Sequence, residues 1–152
     1  MRMKLRLLAP TLAILLCQTP AFAALGGDVR SVNADRAMMA GQLLTTPMQQ
    51  YDLHEITTSG GTLIREYMTA QGKVFAVTWR GPFPPNLQQL FGSYYEQFQS
   101  SVAANATAGM HRTLSIHAQD FVVQALGRMR AYHGKAYVPS LVPAGVSVAA
   151  LP

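Results

Sequence analysis

The residues of this chain with chemistry to offer are four histidines, seven carboxylates and a few arginines near aromatic rings. The histidines are His54, His111, His117 and His133. A helical zinc motif needs two histidines four residues apart, and no pair here has that spacing. His54-Glu55 opens like a metalloprotease motif, but Ile56-Thr57-Thr58 follows, so the second histidine is missing. A fold could still gather His111, His117 and Asp120 around a metal; the plainer expectation is polar groups at the surface or at strand edges. No metal or other cofactor is expected. A serine nucleophile on a sharp turn reads G-x-S-x-G, and no such stretch exists. Ser93 follows Gly92 but falls inside an apolar-striped helix, on its solvent side.

The carboxylates are Asp28, Asp35, Asp52, Glu55, Glu66, Glu96 and Asp120. Two carboxylates suffice for glycoside hydrolysis, so such a pair can be drawn in almost any chain and says little. Glu66 beside Arg65, and Asp120, are expected in exposed or rim ion pairs. Gly26-Gly27 and Gly60-Gly61 lack the strand-to-helix setting of a phosphate loop. No catalytic residue is therefore assigned. The candidate ligand-binding residues are Trp79, Arg128 and Arg130: an indole, and two guanidinium groups that would share a face if they stand two apart on one strand. The competing expectation places the aromatics in core and hairpin packing.

These residues need elements to hold them. Tyr51–Thr58, Thr62–Ala70 and Lys73–Arg80 read as strands separated by turns at Ser59-Gly60-Gly61 and Gln71-Gly72. In the third, alternation puts Phe75, Val77 and Trp79 on one face and Val74, Ala76 and Thr78 on the other. Gly81-Pro82-Phe83-Pro84-Pro85 takes the chain out of the sheet. Asn86 then reads as an N-cap, and Leu87, Leu90, Phe91, Tyr94, Tyr95 and Phe98 form one helical stripe. Ser101–Arg112 reads as a loop, with a chance-level glycosylation sequon at Asn105-Ala106-Thr107. Thr113–Ala118 and Asp120–Leu126 read as further strands, and His133-Gly134 as a tight hairpin turn between Arg128–Tyr132 and Lys135–Val138. Residues 24–50 are weakly patterned, with a short helix over 34–40 capped by Ser31 or Asn33. Strands, one helix and strands again predict an α+β fold. An antiparallel sheet of about five or six strands in hairpins would be covered on one face by a single amphipathic helix, within a domain spanning 51–139. Residues 140–152 form a Pro/Ala-rich tail, either laid across the sheet or loose.

The chain has 152 residues, 49% hydrophobic and only 12% charged, with a net charge of +5 and one cysteine. That composition fits one folded domain and excludes a disulfide framework. Arg2, Lys4 and Arg6, the apolar run Leu7–Cys17 and Ala21-Phe22-Ala23 together read as a signal peptide over 1–23, removed after Ala23. The apolar run is too short to span a bilayer as a helix. Cys17 follows Leu16 rather than a small residue, which argues against lipid attachment there. Three of the 12 basic residues and none of the acids lie within 1–23, so residues 24–152 carry a net charge near +2 and no cysteine. The basic character that invites a nucleic-acid partner is thus mostly the leader's, and none is expected. Contact with a membrane is expected only in transit, through the signal peptide.

Leu25-Gly26-Gly27, His54-Glu55, Gly61-Thr62-Leu63-Ile64-Arg65-Glu66-Tyr67, Val74–Pro82, Arg128-Met129-Arg130 and Lys135–Pro139 stand in an arrangement that resembles a known family. It is an uncharacterised family of small exported proteobacterial proteins, domain of unknown function 2844. The resemblance covers nearly the whole chain beyond the leader and implies export to the bacterial envelope. It implies no activity, substrate, cofactor or catalytic residue. The expectation is a periplasmic or secreted, non-enzymatic protein that binds an envelope protein or small ligand, or serves as an envelope accessory. The alternative is an envelope hydrolase using His54 or His117 with a carboxylate.

Overall fold

The computed structural model describes residues 25–105 and 113–151. The leader read in residues 1–23, most of the sequon and His111 lie outside the described residues.

Asp28 starts the first helix. Its carboxylate accepts from the backbone N–H groups of Arg30 at 2.9 Å and Ser31 at 3.3 Å, satisfying two donors that a helix start leaves orphaned. Helix α1 runs Val29–Met38 and turns Val32 and Asp35 inward. The cap therefore lies ahead of Ser31 and Asn33, and the helix begins earlier than the sequence pattern suggests. Strand β1 (Gln42–Pro47) follows, so residues 24–50 carry a helix and a strand instead of being weakly structured. Strand β1 is an edge strand paired only with its sequence neighbour, which tolerates Pro47 and leaves most of its side chains wet.

The remaining strands are β2 (Tyr51–Thr57), β3 (Leu63–Thr69), β4 (Val74–Gly81), β5 (Thr113–Ala118), β6 (Phe121–Arg128) and β7 (Ala131–Tyr137). All seven lie in one antiparallel sheet of order β1-β2-β3-β4-β7-β6-β5. Two meanders join where β4 pairs with β7, from Ala76↔Tyr137 to Gly81↔Tyr132. The α+β architecture is the expected one; the sheet has seven strands rather than five or six.

Nor is there a single helix. Asn86 caps the predicted stripe as its sequence suggests, accepting from Gln89 N–H at 3.2 Å. The helix breaks, however, into α2 (Leu87–Phe91) and α3 (Tyr95–Asn105) around a 3₁₀ turn at Gly92–Tyr94. Gly92 sits at φ 49°, a conformation that few other residues accept at low cost. The break lets both halves keep their aromatic face on the sheet. Phe91 packs edge-on against Phe98 (5.1 Å) and Phe121 (5.3 Å), and Tyr94 stacks on Phe121 at 5.4 Å.

Helices α1, α2 and α3 cover one face of the sheet, over Ile56, Ile64, Val77, Trp79 and Val123. The other face buries Leu53, Tyr67, Phe75 and Ala76 beneath Leu141, Val142, Val146 and Leu151 of the C-terminal segment. That segment is held down as well as packed: Ser140 N–H donates to Asp120 at 3.0 Å, and Gln50 Nε2 donates to the Ala144 carbonyl at 3.1 Å. Phe75 is on this second face, not with Val77 and Trp79. A bulge shifts the β3–β4 register between Tyr67 and Met68, so consecutive Phe75 and Ala76 join one cluster and strict alternation fails there.

The last hairpin also differs from its expected form. Arg128 pairs with Ala131, which makes Met129-Arg130 the turn and leaves His133-Gly134 inside β7. Gly134 is needed for close approach rather than for turning: it lies opposite Trp79, and a Cβ there would overlap the indole ring.

Candidate functional site

The helix-covered face holds a buried polar row. Glu66 stands between Ile64 and Met68 on the core side of β3 and is 1% exposed. Across from it on β2 is His54, in direct register and 5% exposed. Above it lies Asp35 of α1, fully buried, with Gln89 of α2 donating to its Oδ1 at 2.5 Å. His54 Nδ1 is 2.9 Å from the Thr45 hydroxyl on β1.

Asp35 Oδ2 and both Glu66 oxygens have no N–H or O–H donor from another residue. Two ionised carboxylates could not sit this way, because each is an acceptor only. Protonation of one carboxyl supplies a donor that the site otherwise lacks. Burial pushes Asp35 up to about 6, opposed by the neighbouring Glu66 carboxyl and the Gln89 amide. Burial, then the Asp35 charge and the contact with its carboxyl, push Glu66 well above the ordinary range. Burial moves His54 the other way, lowering its pKa, with Asp52 opposing. Gln89 joins α2 to α1 through Asp35, and the Asp35–Glu66 contact sets α1 against β3.

Sequence reasoning missed the pair. Glu66 is not in a rim ion pair; Arg65, on the opposite face, takes Glu55 of β2 at 2.8 Å instead. The signal available was phase: Glu66 shares its strand face with Ile64 and Met68. Asp120, likewise expected in an ion pair, accepts from Ser140 and helps hold the C-terminal segment.

The second face is only partly roofed. Beyond Leu151 an open groove of about 600 Å³ runs over β3, β4, β7 and β6, walled by Leu63, Thr78, Gln124, Leu126 and Lys135. A second depression of about 600 Å³ adjoins it at the β6–β7 hairpin, lined by Arg80, Arg128 and Arg130. The two share Arg80, Leu126 and His133.

Arg128 and Arg130 thus lie near one another, though not on one strand: Arg128 ends β6, and Arg130 occupies the turn at φ 60°. Trp79 belongs to the core. It is 5% exposed, with its ring 6.0 Å from that of Phe91 under the helices, and it also borders the groove on the second face. His54, His117 and His133 are spread over β2, β5 and β7, and among the described residues no three His, Cys, Asp or Glu side chains are grouped to hold a metal. No helix among the described residues is long and apolar enough to cross a membrane.

One open antiparallel sheet, with helices on one face and a half-roofed groove on the other, defines an α+β protein built around an accessible sheet surface. The chain belongs to the family described as protein of unknown function (DUF2844), whose profile matches residues 21–151. No curated protein and no solved structure matches it.

Proposed function

We propose that this chain is an exported, non-catalytic binding protein of the bacterial envelope, periplasmic or secreted, that works through the open half of its second sheet face. The observation that carries this reading is the partial roof. The C-terminal segment packs over Tyr67 and Phe75, and beside Leu151 the face keeps a groove along Leu63 and Leu126 large enough for a small molecule. Export is supported by the leader pattern in residues 1–23. The buried His54–Glu66–Asp35 row is read as structural, because its atoms are closed off from any substrate. That weighs against the hydrolase alternative built on His54.

The test uses residues 24–152 and the neutral apolar dye N-phenyl-1-naphthylamine. Saturable one-to-one binding is expected, weakened at least tenfold by Gln124→Trp, which fills the groove from an exposed position. Absence of saturable binding, or binding indifferent to Gln124→Trp, would overturn it. Export is checked separately by sequencing the N-terminus of the protein recovered from the periplasm, which should begin at Ala24.

A further inference from the structure

We infer that the ligand is an anionic amphiphile, a single apolar chain ending in a carboxylate or phosphate. Its chain would lie in the groove and its head among Arg80, Arg128 and Arg130. This inference rests on the groove being the working site and goes further by naming what fits it.

The first observation is the continuity of two depressions. The groove over Leu63, Leu126 and Leu151 runs into the hairpin depression through the shared walls of Arg80, Leu126 and His133. Along this cavity the lining passes from Leu63 and Leu151, beside Lys135 and the Arg65 that Glu55 pairs, to Arg128 and Arg130 at the hairpin end, an order that suits a molecule with an apolar stem and a charged end.

The second is uncompensated charge. No Asp or Glu lines either depression. Among the described residues the ion pairs are Arg30–Asp28 and Arg65–Glu55, so Arg80, Arg128 and Arg130 have no carboxylate partner there. Lys135, further along the groove, is already turned to the Val148 carbonyl at 3.5 Å. The free cations are gathered at one end, where guanidinium forks can take a carboxylate or phosphate in bidentate fashion.

The third is the backbone at Arg130. It holds φ 60° at the second central position of a two-residue turn, where Gly or Asn would be cheaper. An arginine kept in that conformation is stationed beside Arg128 and Arg80 at a local conformational cost. A polyanion such as nucleic acid would match the arginines but leave Leu63, Leu126 and Leu151 unused; a neutral lipid would leave Arg128 and Arg130 unused.

The test is calorimetric titration of residues 24–152 with laurate, lauroyl lysophosphatidylglycerol and dodecyl maltoside, each below its micelle concentration. One-to-one binding of laurate or the lysolipid is expected, at least tenfold tighter than the maltoside. The tighter of the two anions tells a free fatty acid from a lipid phosphate. The triple variant Arg80→Gln, Arg128→Gln, Arg130→Gln changes exposed side chains only. It should lose tenfold or more for the anions while binding the maltoside unchanged. Equal affinity for anionic and neutral heads overturns this inference and leaves the groove reading standing. So does dye binding without binding of either anion. Binding to phosphatidylglycerol vesicles with none to the monomers would also overturn it, in favour of a membrane surface.

Discussion

The carboxyl groups of Asp35 on α1 and Glu66 on β3 face each other across the helix–sheet boundary, each at most 1% exposed, with Gln89 donating to Asp35 at 2.5 Å. The arrangement is eased when one of the two is protonated. Two bare carboxylates side by side would repel where water cannot screen them. The pair therefore makes the seating of α1 on the sheet depend on pH.

The sign of that dependence follows from both groups titrating above their unfolded values near 4. Stability from the pair is fully present below about pH 4 and is lost as pH rises through 6 and beyond. Denaturant titrations should therefore show the protein weakening between pH 5 and pH 8. Glu66→Gln supplies an amide donor to Asp35 that does not titrate. It should flatten that decline by on the order of 2 kcal/mol and make the variant the more stable form at pH 8. Parallel curves for the two proteins would show that the carboxyls do not share a proton.

His54 should shape the acidic side in the opposite sense. Burial lowers its pKa, so its neutral form contributes stability that is present above about pH 6.5 and lost as pH falls through the lower folded value. Replacing it by Asn, which can still meet the Thr45 hydroxyl, should reduce the acid sensitivity between pH 6 and pH 4. A stability profile for His54→Asn that keeps the wild-type acid slope would place that sensitivity elsewhere.

Phe91 and Tyr95 both belong to the aromatic stripe, yet they should not respond alike. Phe91 is fully buried, within ring contact of Trp79, Phe98 and Phe121, and Phe91→Ala should cost about 3–5 kcal/mol. Tyr95 is half-buried and stacks on Phe98 at 5.9 Å, so Tyr95→Ala should cost about 1–2 kcal/mol. Thermal unfolding of the two variants measures the gap, and equal losses would contradict the assigned burial.

The legible parts of this fold are those where local pattern and tertiary packing agree. The stripe from Leu87 to Phe98 is visible because apolar spacing and the Asn86 cap point to the same helix. The break at Gly92 is not, because it answers to Phe121, a residue far along the chain. Strand β1 escapes because an edge strand need not alternate cleanly. The hairpin is misplaced in the sequence because His133-Gly134 has turn chemistry and Met129-Arg130 does not; the register is set instead by β7 pairing with β4. In the candidate site, Arg128 and Arg130 can be picked out as a basic doublet, whereas their meeting with Arg80 depends on the β4–β7 junction. Asp35 carries no local sign of its partner Glu66, since a helix and a strand that meet only in the folded state hold them.

Gly134 offers a test of that junction. In isolation a glycine weakens a strand, and alanine there should raise local β preference slightly. Here the register places Gly134 opposite Trp79, and an added Cβ would run into the indole on one side and the Gln124 carbonyl on the other. Neither neighbour yields easily: the indole is wedged against Phe91, and the carbonyl belongs to the sheet backbone. Gly134→Ala should therefore destabilise by about 1–3 kcal/mol, as overpacking does. Trp79→Phe, which shortens the ring, should recover part of that loss when combined with Gly134→Ala, although alone it opens a cavity. Unfolding of both single variants and the double variant gives the coupling directly. Strict additivity would mean that glycine at 134 answers to something other than the tryptophan across from it.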